Sequence, residues 1–298
     1  MTRAPFRAGL VTLAGVPNVG KSTLLNRLLG EKIAITSRKA QTTRNRILGV
    51  VHRADAQLVL LDTPGIHGAA GPLNRRMMEA ALSALEGVDG VILLIDAGSP
   101  EPSAEQGILG RLRDDEVPTV LAINKIDRVR RPAILEIIDR WRLVHPFSAI
   151  VPISAKTGDG VESLMTAVTA ELPEGPPLYP EDTLTDQPER FIAAEMIREK
   201  VFRLTGEEVP YATAVTIDTF DESDRDRLLR IEATIHLERD SQKGIVIGRG
   251  GERLKSIGKA ARRDIERLTG TRVFLKLFVR VQKQWRRDPR ALTRFGYE

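Results

Sequence analysis

The chain has 298 residues, a length that suggests about two domains of ordinary size. It is 42% hydrophobic and has no cysteine, which excludes disulfides, thiolate-bound metals and cysteine nucleophiles and fits a cytosolic protein. Its net charge of +5 is unevenly spread: residues 243–298 hold 16 Lys/Arg against 5 Asp/Glu and residues 1–242 hold 29 against 35, so an acidic body ends in a basic segment suited to a polyanion.

No apolar run approaches the roughly 20 residues that span a bilayer. The opening MTRAPFRAGLVTLAG lacks a cleavage site and runs straight into a glycine motif, so it reads as a first strand (8–14) and not as a signal peptide. A helix is expected over 21–29, closed by Gly30. Further buried strands are expected at 58–63, 90–97, 119–125 and 149–154, with helical patterns between them at 74–86 and 132–141. Strands alternating with helices predict an α/β domain, a mostly parallel sheet covered on both faces, whose ligands sit beyond the carboxyl ends of the strands. The proline-rich stretch 172–190 marks a linker, dividing the chain into residues 1–173, a linker at 174–188 and a second domain at 189–298. In that second part the pattern predicts a helix at 189–204, strands at 211–220 and 228–239, a glycine-rich turn, a basic helix at about 259–269 and a last strand at 272–281.

The motifs fall at the predicted strand ends. GVPNVGKS (15–22) follows a strand and opens a helix, the setting of a phosphate-binding loop. Gly15, Asn18, Val19 and Gly20 would curl backbone N–H groups toward phosphates, Lys21 would neutralise the β- and γ-phosphates, and Ser22, followed by Thr23, would offer a hydroxyl to Mg²⁺. DTPG (62–65) with Ile66 gives Asp62, Thr63 and Pro64 at a strand end, and a Gly65 N–H able to touch a γ-phosphate. Alone it is as readily an ordinary Asx turn. NKID (124–127) reads guanine: Asp127 can accept from N1–H and the 2-amino group, which adenine lacks, so an adenine nucleotide would leave that carboxylate unpaired. Asn124 would tie this loop to the phosphate loop, and the Lys125 stem would lie over the base. Ser154, Ala155 and Lys156 supply a second base contact, with the Ala155 N–H aimed at guanine O6. In TSRKAQTTRNR (36–46) either Thr42 or Thr43 can complete the Mg²⁺ shell, with Thr43 preferred; Lys21, Thr43 and Gly65 are the candidate catalytic groups. Ile66 stands where small Ras-like enzymes place a water-orienting glutamine, which implies slow intrinsic hydrolysis, while His67 reads as a surface histidine.

VIGRGGERLKSIGKAARRDIE (246–266) combines an expected strand end, a GxxG turn at 248–251 and a basic helix. Such a turn brings backbone close to nucleic-acid phosphates and clamps about four nucleotides. Ile247, Gly248, Arg249, Gly250, Gly251, Lys255, Lys259, Arg262 and Arg263 are the candidate RNA-binding residues, with Ile245, Ile247, Ile257 and Ala260 forming an apolar groove for bases.

Together GVPNVGKSTLLNRLLG, TSRKAQTTRNRI, LDTPGIH, NKID and VPISA, joined by YPED, RFIAAEMIREK and the C-terminal GxxG segment, resemble the Era family of bacterial GTPases over almost the whole chain. The resemblance implies a Ras-like P-loop G domain followed by an α+β type II KH domain, slow hydrolysis of GTP to GDP with Mg²⁺, binding to small-subunit 16S ribosomal RNA near its 3′ end, and help in assembling the 30S subunit. It also implies contact with the inner face of the cell membrane; a monomer is expected. Val16 departs from a common arginine of that family, and the loop 68–72 is poor in charge. Asn18 raises the expectation of a potassium ion beside the phosphates. The rival from another class is a constitutive RNA-binding assembly factor for which nucleotide is a structural ligand. A translation or tRNA-modification GTPase fits less well, because a KH pattern follows a single P-loop, and a metabolic kinase is disfavoured by NKID.

Overall fold

A computed structural model of the chain describes residues 5–37, 39, 41–65, 71–100, 105–206 and 208–297. They form two compact units. One gathers Met1–Ala34, Thr43–Gly68 and Met77–Asp186; the other gathers Ile35–Thr42, Ala69–Arg76 and Gln187–Glu298.

The first unit is built on β1 (Arg7–Ala14), β2 (Ile47–His52), β3 (Ala56–Asp62), β4 (Gly90–Asp96), β5 (Thr119–Asn124) and β6 (Ala149–Pro152). Their order is β2-β3-β1-β4-β5-β6; β2 runs antiparallel to β3 and every other pairing is parallel. The helices are α1 (Lys21–Leu29), α2 (Pro72–Ser83), α3 (Gln106–Asp115), α4 (Arg131–Trp141) and α5 (Val161–Glu171). All seven residues of β3 and all six of β5 are buried, as strands covered on both faces must be. The parallel register sets Asp62 opposite Leu13 and Asn124 opposite Asp96, so β3, β4 and β5 deliver their polar last residues to the edge where β1 also ends. Three elements lie where the sequence suggested none: α3, α5 and the antiparallel edge strand β2, a six-residue apolar run hidden behind a long polar stretch. The proline-rich segment is tied down rather than free: Gln57 Oε1 accepts from Leu178 N at 2.6 Å and Tyr179 N at 2.9 Å, and Val50 N donates to Leu184 O at 2.9 Å.

The second unit contains α6 (Glu189–Leu204), β7 (Ala214–Asp221), β8 (Leu229–Leu237), α7 (Asp240–Ile247), α8 (Glu252–Thr269), β9 (Val273–Val281) and α9 (Pro289–Arg294). The sheet order is β7-β8-β9, antiparallel then parallel. The parallel pair is closed by the α7–α8 crossover, the kind of connection that parallel strands require. The segment before the GxxG turn is therefore a helix, not a strand. Gly-Ile-Val-Ile favours extended backbone locally, but Gln242 Oε1 accepts from Glu238 N and Arg239 N at 3.0 and 3.1 Å and starts a helix whose Val246 is fully buried. The basic helix likewise begins at Glu252, earlier than its charge pattern suggests.

At the other end of the sheet, Trp285 is fully buried, donates to Ala212 O at 2.9 Å and meets Phe295 and Tyr297 at ring distances of 5.2 and 5.8 Å. His236 packs 4.5 Å from the Phe295 ring and shares a 2.9 Å hydrogen bond with the Thr216 hydroxyl. Burial pushes its pKa down from 6.5 to about 4, with Arg294 and Arg280 acting in the same sense and Asp218 opposing. The unfolded ring takes its proton near pH 6.5 and the folded ring only near 4, so between these values the unfolded state binds more protons. The stability is full above about pH 6.5 and drains as pH falls. Hydrogen exchange on β7–β9 should show about 2 kcal/mol less protection at pH 5 than at pH 7, and His236→Gln should flatten that difference.

Candidate nucleotide site and nucleic-acid interface

The phosphate loop joins β1 to α1. Gly15 and Gly20 take φ of 141° and 110°, and Asn18 takes φ of 66°. A Cβ on Gly20 would lie 2.3 Å from Asn124 Nδ2, so glycine there serves close approach as well as backbone geometry. Lys21 Nζ donates to Gly15 O at 2.8 Å and Val16 O at 3.2 Å. Burial lowers its pKa to about 8, against the pull of Asp62 and Glu105.

Asp62 is fully buried at the end of β3. Ser22 Oγ donates to Asp62 Oδ2 at 2.6 Å and lies 2.8 Å from Thr43 Oγ1. Burial raises the Asp62 pKa to about 6, despite Lys21, the Ser22 and Thr43 hydroxyls and the Thr63 backbone. Asp62 Oδ1 has no hydrogen-bond partner among the described residues. Two hydroxyls and a carboxylate with an unused buried oxygen are the hard oxygen donors that Mg²⁺ takes, so the residues fit the ion. Thr42 is directed elsewhere, its hydroxyl donating to Lys39 O at 2.7 Å. The Thr63 hydroxyl donates to Leu13 O at 3.0 Å, leaving only its backbone for the site. At Gly65 a Cβ would lie 2.6 Å from Pro17 backbone, so the DTPG turn reaches the phosphate loop only as glycine. Ile66 and His67 lie outside the described residues.

The opposite side is organised by Asn124. Its Nδ2 donates to Val19 O at 2.7 Å, and its Oδ1 accepts from Lys125 N at 2.8 Å and Ala155 N at 2.9 Å. One amide thus joins the phosphate loop to both base-side loops; an Ala155 contact to guanine O6 would share or replace one of these bonds. Asp127 Oδ1 accepts from Ser154 Oγ at 2.7 Å, which orients the carboxylate. Lys125 Nζ reaches Asp96 Oδ2 and Asn18 O, each at 2.6 Å, fixing its stem. Arg27 donates to the carbonyls of Ala155, at 3.2 Å, and of Lys156, and so ties α1 to that loop. Thr23 lies half-buried in the first turn of α1.

Sequence reasoning missed two carboxylates. Asp96 ends β4 outside any motif, and only strand-end placement could have flagged it. Glu105 accepts from Val16 N at 3.4 Å and is buried, with its pKa pushed up by desolvation to about 7. No motif surrounds it.

In the second unit the GxxG turn links α7 to α8 with Gly248, Gly250 and Gly251 at φ of 73°, 58° and 81°. Arg249, Gly250, Lys255, Lys259, Arg262 and Arg263 are exposed and Ile247 is half-buried. Beside the turn lies a groove of about 460 Å³ whose floor is Leu254, Gly258, Leu275 and Leu277 and whose rim is Lys255, Lys259 and Arg262. Ile257, expected in that groove, is instead fully buried in the core, because the helical period turns it toward the sheet. β9 supplies the apolar wall in its place.

The comparisons agree with this geometry. Residues 10–125 match the family model described as "50S ribosome-binding GTPase", and residues 208–286 match that of the KH domain. GTPase Era of Geobacter metallireducens is 56% identical over 297 residues, covering 100% of both chains. The chain belongs to the GTPase Era family. The Lacticaseibacillus paracasei GTPase Era is 49% identical across 97% of this chain and 96% of its own. Among solved structures, an Aquifex aeolicus Era variant bound to GDP·AlF4⁻ is 42% identical with a TM-score of 0.94, covering 98% of this chain and 99% of the relative. Era in complex with MgGDPNP and nucleotides 1506–1542 of 16S ribosomal RNA matches with the same identity, coverage and TM-score. The fold is thus that of a Ras-like G domain with a C-terminal KH domain.

If the Asp127 carboxylate, held by Ser154, is the group that inspects the base, Asp127→Asn should shift preference from guanine to xanthine nucleotides. Competition binding is expected to show GTP weakened at least 100-fold, about 3 kcal/mol for a charged hydrogen-bond pair.

Proposed function

We propose that this chain is a GTP- and GDP-binding switch that hydrolyses GTP slowly, binds 16S ribosomal RNA near its 3′ end and assists assembly of the 30S subunit. The observation that carries the nucleotide half is the convergence of Lys21, Ser22, Asp62 and Thr43 on one side of the phosphate loop, with Asp127 held by Ser154 on the other. The RNA half is supported by the exposed glycine turn and basic-rimmed groove, and by the relative that matches over 98% of this chain in complex with 16S RNA. The "50S" in the family model's description belongs to a match that covers only residues 10–125, so the full-length relatives weigh more. On this reading residues 1–173 are the nucleotide domain, 174–188 the linker and 189–298 the RNA-binding domain.

In the mechanism, backbone N–H groups of Asn18 to Thr23 hold the phosphates, and Lys21 adds charge at the β- and γ-oxygens. Ser22, Thr43 and Asp62 would hold Mg²⁺, which when bound neutralises phosphate charge. Gly65 would sense the γ-phosphate through its N–H. Ile66 cannot orient water, so the attacking water is placed by backbone or by a partner, and basal turnover is slow. Asn18 is proposed to help hold a potassium ion. Peripheral contact with a membrane surface rests on the family resemblance; among the described residues no helix is long and apolar enough to cross a bilayer.

Turnover measured with and without 16S RNA is expected to differ; equal rates would leave a constitutive RNA-binding factor. Crosslinking under GTP and under GDP identifies the RNA contacted and their nucleotide dependence. A Cβ placed on Gly250 meets no neighbour within 4 Å, and its left-handed φ of 58° is one that aspartate tolerates better than most side chains, so Gly250→Asp should fold at a small cost and weaken RNA at least tenfold by adding charge beside phosphate. Hydrolysis is expected to be faster in potassium than in sodium buffer, and equal rates would remove the potassium proposal.

A further inference from the structure

β9 is an edge strand of its sheet, and its two faces differ. Leu275 and Leu277 wall the groove beside α8. On the opposite face, alternation along the strand sets Phe274, Lys276, Phe278 and Arg280 in a row, all exposed. Phe274 is 49% and Phe278 41% exposed, in a chain with only 4% aromatic residues. Four residues along a strand place the rings about 13 Å apart.

We propose that this outer face is a second RNA-contact surface, a platform on which unpaired bases stack. The proposal rests on the RNA-binding reading above and adds a subsite to it. Each ring carries a cation: Lys276 Nζ lies 4.8 Å from the Phe278 centroid and the Arg230 guanidinium 6.0 Å from that of Phe274. A base stacking on such a ring would take the place of the cation now lying over it, leaving that cation to meet the base's own phosphate, the combination used on single-strand platforms. From residue 271 to 284 there are four cations, Arg272, Lys276, Arg280 and Lys283, and no carboxylate. The carboxylates nearby on β7 and β8 are already engaged. Glu232 meets Lys276 at 3.2 Å, Asp218 accepts from the Thr216 and Thr234 hydroxyls at 3.2 and 2.6 Å, and Asp221, opposite Arg230, accepts from Ser223 N at 3.0 Å. Continuity favours RNA as well, since one strand walls the groove and carries the rings. A second protein chain is disfavoured by size: two half-exposed phenyl rings supply a few hundred Å² at most, against about 800 Å² per partner in a stable interface.

The test uses the full chain with two probes, labelled RNA of nucleotides 1506–1542 and the tightest-binding tetranucleotide cut from it. The double variant Phe274→Ala/Phe278→Ala should bind the long RNA at least tenfold more weakly and the tetranucleotide as before. The slope of log affinity against log salt should not change, because no charge is removed. Phe274→Tyr/Phe278→Tyr should restore binding, and circular dichroism checks the fold of both variants. Unchanged affinity of the alanine variant for the long RNA overturns the platform. So does retained RNA binding together with lost self-association in sedimentation or lost binding to vesicles of anionic lipid, which would give the face to a second copy or a membrane. If Gly250→Asp loses both RNAs while the alanine pair keeps both, only the platform fails. If the wild type binds neither, the RNA reading itself fails.

Discussion

Two buried opposite charges that influence one another through space set the terms for the nucleotide site. Lys21 begins α1 and Asp62 ends β3, and burial drives each toward its neutral form, Lys21 to about 8 and Asp62 to about 6. Neither is satisfied by the other alone. The lysine leans on two loop carbonyls, and the aspartate leaves one buried oxygen unpartnered among the described residues. Desolvated charges of this kind gain when a phosphate or a hard cation arrives, since both bring the compensation that the protein withholds. The glycines at 15, 20 and 65 follow from that constraint, because they let three stretches of backbone crowd around one small volume.

The base side obeys a different economy. Asn124 is uncharged, almost wholly buried, and spends its donor and acceptor on Val19, Lys125 and Ala155. It turns three loops into one rigid wall without the desolvation cost of a charge. Asp127 is exposed and still oriented, through Ser154.

The second unit separates its tasks by the period of its elements. α8 turns Ile257, Ala261 and Ile265 to the sheet and Lys255, Lys259 and Arg262 outward, so the same helix makes core and groove rim. β9 does likewise with period two, walling the groove with leucines and showing phenylalanines on its far face. The neutral, buried His236 beneath Phe295 shows where the sheet is instead sealed by the chain's own C-terminal residues.

Local signals carried much of this. Glycine spacing, strand-end polar residues and the helical period singled out Lys21, Ser22, Asp62, Asn124 and Asp127 as candidates, because phosphate and guanine recognition would demand particular atoms at short sequence range. The parallel α/β sheet was legible for the same reason, in apolar runs that end in those motifs. Other features depended on partners far apart in sequence. α7 looked like a strand until the parallel β8–β9 pairing required a crossover helix, Ile257 looked like groove until its helix met the sheet, and Glu105 and Asp96 gained meaning only beside Val16 and Lys125. The choice of Thr43 over Thr42 beside Ser22 was open in sequence, since two adjacent threonines have equal chemistry and only tertiary packing gives them different neighbours. The sequence by itself determined which chemistries the chain can perform. The tertiary structure decided which side chains are desolvated and which stay wet, because burial is a property of contacts that no local pattern contains.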